Sequence, residues 1–234
     1  MMQTGLDLWV DTGRAPYIPK WFDDQASAYV TVTSAQFSNT PQFTFSMWFN
    51  PQSVTGTQKL ASAAGRLQIH LEGAKLRVLV DDTTAATVWN VLTTDDVFTI
   101  GKRAHVYVSV DLSVPAATLE INRVAPALTV TTALVAGNGS VSHVRDHAFL
   151  ADTIGLNRLD AHFTDLFFDP SAVHPNSLMW NNGQPPDLTG VGSPKVWLGD
   201  GQLAANLEAD ENLGSVTIVT PSATPFLDAA APTS

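Results

Sequence analysis

The residues able to do chemistry are few and scattered. Glycoside hydrolysis needs two carboxylates about 5–9 Å apart on either side of a sugar. The densest acidic string, Glu208-Ala209-Asp210-Glu211, falls in a Gly- and Pro-rich C-terminal stretch and reads as a solvated charge cluster. The 6 histidines form no nucleophile–base pair, and there is no G-x-S-x-G string, so Ser/His/Asp catalysis has no support. The chain has no cysteine, which excludes disulfides, thiol catalysis and Cys-ligated zinc. His143 and His147, with Asp146 between them, have a spacing that suits a helix. Their surroundings read as loop and strand, which predicts exposed histidines rather than a zinc pair. Calcium is the better metal candidate, with the acidic turn pairs Asp81–Asp82 and Asp95–Asp96 as its ligands, but acidic turn pairs are usually just turns and no cofactor is otherwise expected. These residues predict a protein that is not an enzyme.

Sugar recognition asks for less: an aromatic platform beside Asn, Asp or Arg side chains on one sheet face. Alternation along the strands directs Trp48, His70, Arg77, His105, Tyr107, Glu120 and Asn122 outward. His70, Arg77, His105 and Tyr107 are the candidate glycan ligands, whereas Trp48 is expected to lie under the N-terminal arm.

The elements that must position these side chains are strands. Phe43, Phe45, Met47 and Phe49 share one face, and Thr44, Ser46, Trp48 and Asn50 the other. Leu67, Ile69 and Leu71 alternate with Gln68, His70 and Glu72; Gly73 turns the chain, and Leu76, Val78 and Val80 resume the pattern, a hairpin signal. Ala104, Val106, Val108 and Val110 alternate with His105, Tyr107, Ser109 and Asp111, followed by Ala117, Leu119 and Ile121. Weaker strand patterns run over 28–33, 88–92, 128–134, 147–151 and 159–168. Some ten short strands separated by turn residues leave no room for the helices of a parallel sheet. They predict an all-β, antiparallel two-sheet jelly-roll sandwich. The expected division is an irregular arm over 1–24, the sandwich over 25–170, and a C-terminal extension over 171–234. The extension should hold a short helix, with Ser171 as its possible cap, and short strands near 195–198 and 215–220.

The totals narrow the class of partner. At 234 residues there is length enough for a real core, and 22 acidic against 12 basic residues give a net charge of −10. Such a chain is repelled by phosphate backbones and anionic lipid, so neither nucleic acid nor a membrane surface is an expected partner. No run of about 18 apolar residues occurs, which predicts no membrane insertion. Residues 1–10 lack the basic start and apolar stretch of a secretion signal.

Several of these strands resemble the concanavalin A-like, laminin-G-type jelly roll. Phe43, Thr44, Phe45, Trp48 and Pro51 look like its early strand. Gly101, Lys102, His105, Val106 and Val108 are similar to its central strand, with Arg103 where a Trp is usual. Asp111, Leu119, Ile121 and Asn122 resemble the next hairpin, with Arg123 in place of the family's Gly. Leu159 to Phe168 resembles the late strand, with Asp165 at an acidic position. Glucanases related to this fold carry an E-x-D-x-E strand, whose spacing the string at 208–211 does not have. Leu178, Asn182, Gly183, Asp187, Leu188, Pro194, Trp197, Leu198, Gly199, Gly201, Asn212, Gly214 and the strand 216–219 look like the segment that follows such sandwiches in structural proteins of tailed bacteriophages.

That resemblance implies a capsid decoration or tail appendage subunit of a virion, assembled in the host cytoplasm. Its partners would be other virion proteins, it would be a homo-oligomer on the particle, and the arms 1–24 and 171–234 would grip neighbouring subunits. The alternative is an adhesin module that binds host or environmental polysaccharide.

Overall fold

A computed structural model of the chain describes residues 21–23, 29–32, 37–143, 146–180, 196–198, 216–219 and 227–229. The described strands are β1 (Trp21–Asp23), β2 (Tyr29–Val32), β3 (Gln42–Pro51), β4 (Thr57–Ala63), β5 (Leu67–Glu72), β6 (Lys75–Asp81), β7 (Thr87–Thr93), β8 (Ala104–Asp111), β9 (Ala116–Ile121), β10 (Leu128–Thr132), β11 (His147–Phe149), β12 (Ala161–Asp169), β13 (Val196–Leu198), β14 (Val216–Val219) and β15 (Leu227–Ala229). They make two antiparallel sheets. The smaller runs β15-β1-β12-β3-β8-β9 with β13 also on β12; the larger runs β10-β7-β6-β5-β4-β11-β2-β14. This is the expected all-β sandwich.

Its core follows from the alternation. Phe43, Phe45, Met47 and Phe49 of β3 point inward against Leu67, Ile69 and Leu71 of β5 and Leu76, Val78 and Val80 of β6, in one buried cluster. Phe168 of β12 sits in its middle, with ring centroids 5.8 Å from Phe37, 6.2 Å from Phe43 and 5.5 Å from Phe149.

β4 has no counterpart among the sequence patterns. The pairing of β4 with β5 slips between Lys59 and Ala61, so Leu60 and Ala61 are both buried and the period of two is lost. The Ile121–Val124 hairpin keeps the tight-turn geometry that Arg123, in the place of a Gly, put in question. Asn122 (φ 52°) and Arg123 (φ 63°) are both left-handed, and Ile121 and Val124 exchange backbone hydrogen bonds of 2.9 and 3.0 Å. That is the two-residue turn that suits Asn-Gly. Arg123→Gly removes the side chain's strain there and is expected to raise unfolding free energy by about 0.5–1 kcal/mol in a urea titration.

The C-terminal extension is not a set of loose arms. β13 pairs with β12, β14 with β2 and β15 with β1, so its described strands belong to both sheets. The helical turn α1 (Asn176–Met179) starts after Pro175 without a side-chain cap. Ser171 does not cap it; its hydroxyl donates to Asp169 Oδ1 at 2.6 Å and closes the turn after β12. Deleting 171–234 therefore strips strands from the sandwich, so the extension is not separable from the sandwich expected over 25–170. The string Glu208–Glu211, and the resembling positions Asn182, Gly183, Asp187, Leu188, Pro194, Gly199, Gly201, Asn212 and Gly214, lie outside the described residues.

Candidate functional site

The four candidate glycan ligands do not share a face. His70 and Arg77 are directly opposed on β5 and β6 of the large sheet, and His105 and Tyr107 stand on β8 of the small one. Both pairs point away from the core, so the sandwich separates them. One-dimensional alternation gives in or out, not which sheet.

On the large sheet a polar ladder crosses four neighbouring strands. Lys59 Nζ donates to Gln68 Oε1 at 2.6 Å and lies 3.3 Å from His70 Nδ1. His70 Nε2 meets Glu72 Oε1 at 3.2 Å. Arg77 grips Glu72 with two donors, Nε and Nη2, and its Nη1 donates to Asn90 Oδ1 at 2.9 Å. Gln68, Glu72, Arg77 and Asn90 remain partly exposed, whereas Lys59 and His70 are buried beneath them. Burial, and then the Lys59 charge, push the His70 pKa down to about 4, so its imidazole is neutral at ordinary pH. The Arg77 guanidinium holds the Glu72 carboxyl below its usual range, and burial lowers Lys59.

On the small sheet the corresponding face is covered. Residues 170–180 run across it as a strap. Thr44 Oγ1 donates to Ala172 O and accepts from His174 N, each at 2.9 Å. The Tyr107 hydroxyl donates to His174 O, and the Asn176 amide to Glu120. Met179 packs with Tyr107 and Phe167 in a second buried cluster. Trp180 stacks on Trp48 with centroids 4.9 Å apart and meets His105 at 5.4 Å. Both faces of β3 are therefore buried, and Trp180 covers Trp48. His105 is fully buried; burial pushes its pKa down to about 3, and Ser46 Oγ lies 2.8 Å from its Nε2. Burial raises the Tyr107 pKa.

The acidic turn pairs are also apart. Asp81 ends β6 and Asp82 follows it, whereas Asp95 and Asp96 follow β7 at the opposite end of the same hairpin, roughly 20 Å away at ~3.3 Å per residue. Asp82 is already committed to donors. Its Oδ1 accepts from Thr84 N, Thr84 Oγ1 and Ala86 N, and its Oδ2 from Asn138 N. Asp81 accepts from Thr87 Oγ1 at 2.8 Å, with Arg66 at 3.8 Å. Among the described residues no three His, Cys, Asp or Glu side chains converge to hold a metal. Asp82→Asn places an amide N–H against Asn138 N–H and is expected to cost about 1–2 kcal/mol. The loss in Tm should be the same in calcium as in chelator.

His143 and His147 are a correction. They are buried, not exposed, because β11 sits between β2 and β4 and points His147 into the sandwich with Phe149. Their rings stack with centroids 5.6 Å apart, and His143 Nδ1 lies 3.4 Å from His147 Nε2. Phe168 covers both, at 5.9 and 5.3 Å. The polarity of the two residues hid this from a hydrophobic pattern.

Two antiparallel sheets around an aromatic core, in this strand order, define the molecule as a laminin-G-type sandwich of the lectin kind. Residues 24–142 match the model of the concanavalin A-like lectin/glucanases superfamily, and the chain belongs to that family. Among solved structures it is similar to a Bacteroides ovatus protein assigned as carbohydrate-binding, with a TM-score of 0.57 and 12% identity over 86% of this chain and 59% of that one. The chain thus spans under two thirds of that protein's length. It is similar also to the heptameric SAP-like pentraxin of Limulus polyphemus, with a TM-score of 0.51 and 9% identity over 87% of this chain and 95% of that one. At such identities the likeness is one of fold. No curated protein matches the sequence.

Proposed function

We propose that the chain is a non-enzymatic attachment module that binds carbohydrate through the outer face of its large sheet. The observation that carries this reading is the ladder Lys59–Gln68–His70–Glu72–Arg77–Asn90. Its side chains are fixed by one another before any ligand arrives, and such preorganisation favours binding. Arg77 uses three of its five donors within the ladder, so two remain for hydroxyls. Leu79 and Leu92, partly exposed on the same face, supply apolar surface. Family membership supports a saccharide as the ligand class. Catalysis has no support within the ladder: Glu72 is its one carboxylate, it is held by Arg77, and hydrolysis needs a second.

The full chain on an array of host and environmental polysaccharides is expected to give hits, with no release of reducing ends from any of them. An empty array at millimolar glycan sinks the reading; released reducing ends sink its non-enzymatic part.

A second reading places the same module on a bacteriophage particle, as a homo-oligomeric capsid decoration or tail appendage subunit among other virion proteins. What favours it is the ordered resemblance that runs from Leu178 to the strand 216–219. Antibody-labelled electron micrographs of the particle encoded with this gene are expected to show label on head or tail. Unlabelled particles would discard it.

A further inference from the structure

Among the described residues, five buried side-chain polar atoms have no hydrogen-bond partner, and four of them belong to the outer face of the small sheet or to the strap that crosses it: Trp48 Nε1, Asn50 Oδ1, His105 Nδ1 and, on the strap, Asn176 Oδ1. Buried polar atoms are almost always paired, and each one left unpaired is destabilising. A cluster of them marks a hydrogen-bonding surface for which the strap is the wrong partner.

The strand register brings three of these atoms into one patch. Trp48 is directly opposite His105, and Asn50 is two residues further along the same face of β3. The patch presents an indole N–H that donates, an amide oxygen that accepts, and an imidazole nitrogen able to do either. A sugar hydroxyl both donates and accepts, so it matches that mixed set. The imidazole is fully buried with its other nitrogen held by Ser46, which favours an uncharged ligand. Arg103 stands 5.7 Å over the Trp48 ring.

Trp180 now occupies this place. Its ring covers Trp48 at a tilt of 32°, where the C–H face of a pyranose would stack, yet it pairs with none of the three polar atoms. It is only partly buried, at the end of a four-residue helical turn. We infer that the outer face of the small sheet is a second, occluded saccharide site for a neutral pyranose. Trp48 is its platform, Asn50 and His105 are its hydroxyl partners, and residues 171–180 are its lid, with Trp180 in the position of the sugar ring. The inference takes its ligand class from the carbohydrate reading but uses none of the large-sheet residues.

The test uses the full chain and a panel of maltoheptaose, cellohexaose, laminarihexaose and xylohexaose, with binding followed by calorimetry. Trp180→Ala is expected to bind at least one of them ten-fold or more tighter than the unaltered protein. Tyr107→Phe, which releases the lid's bond at His174, should give a smaller gain of about three-fold. Adding Trp48→Ala to either variant should abolish the gain, whereas adding Arg77→Ala should leave it intact. That last arm separates this site from the large-sheet ladder: each can fail without the other. If Trp180→Ala does not fold, as judged by its circular dichroism, Tyr107→Phe decides. Variants that bind every sugar no tighter than the unaltered chain would overturn the inference, and would assign the unpaired atoms to trapped water.

Discussion

The urea midpoint of unfolding is expected to fall steeply as pH drops from 6.5 to 4, because three histidines are buried in the neutral form. Burial lowers the pKa of His105 to about 3 and, with Lys59, that of His70 to about 4; burial and then His147 hold His143 well below the ordinary value. In the unfolded chain each returns to about 6.5. Between the folded and unfolded values the unfolded state binds more protons, so stability rises with pH in that window. Their contribution is fully present above pH 6.5 and is lost as pH falls toward each folded value. Each pH unit of the window is worth about 1.4 kcal/mol per histidine.

By pH 4, His105 and His70 should therefore each have given up on the order of 3 kcal/mol, against a total domain stability of about 5–15 kcal/mol. Glu72, Asp82 and Asp111, whose pKa values are lowered by hydrogen bonds, contribute stability that is lost only below about pH 4.5. The upper limb of the curve thus belongs to histidine. Midpoints measured at pH 7.5 and 4.5 check this, and His105→Gln should flatten the slope. Equal midpoints at the two pH values would contradict the burial of these side chains.

The second large effect is at Phe168. Its ring touches Phe37, Phe43 and Phe149 and covers both buried histidines. Phe168→Ala opens a cavity among rigid aromatic neighbours and is expected to cost about 3–5 kcal/mol by urea titration. Water admitted to that cavity would also ease protonation of His143. The variant should then lose part of the remaining acid sensitivity along with its stability. A loss under about 1 kcal/mol would mean that the core collapses around the gap.

Much of the fold was legible because period-two alternation reports directly on a two-layer core. β3, the β5–β6 hairpin and β8 follow from which residues are apolar. What broke the pattern broke the reading: the slip in β4 put adjacent residues inside, and the polar His147 disguised an inward position. Outer faces were harder to read. Whether Trp48 and His105 meet solvent depends on a strap more than 60 residues away in sequence, and whether His70 neighbours His105 depends on strand order. Local alternation encodes neither. The ladder shows the same limit, since Lys59 belongs to the strand that the pattern missed.

The most direct measurement is a nitrogen–proton correlation titration of the full chain with an oligosaccharide taken from the array. Shifts should concentrate at Gln68, His70, Arg77 and Asn90, and Arg77→Ala should weaken binding at least ten-fold. Shifts confined to other surfaces, with Arg77→Ala binding as tightly as the unaltered protein, would contradict the assignment of that face.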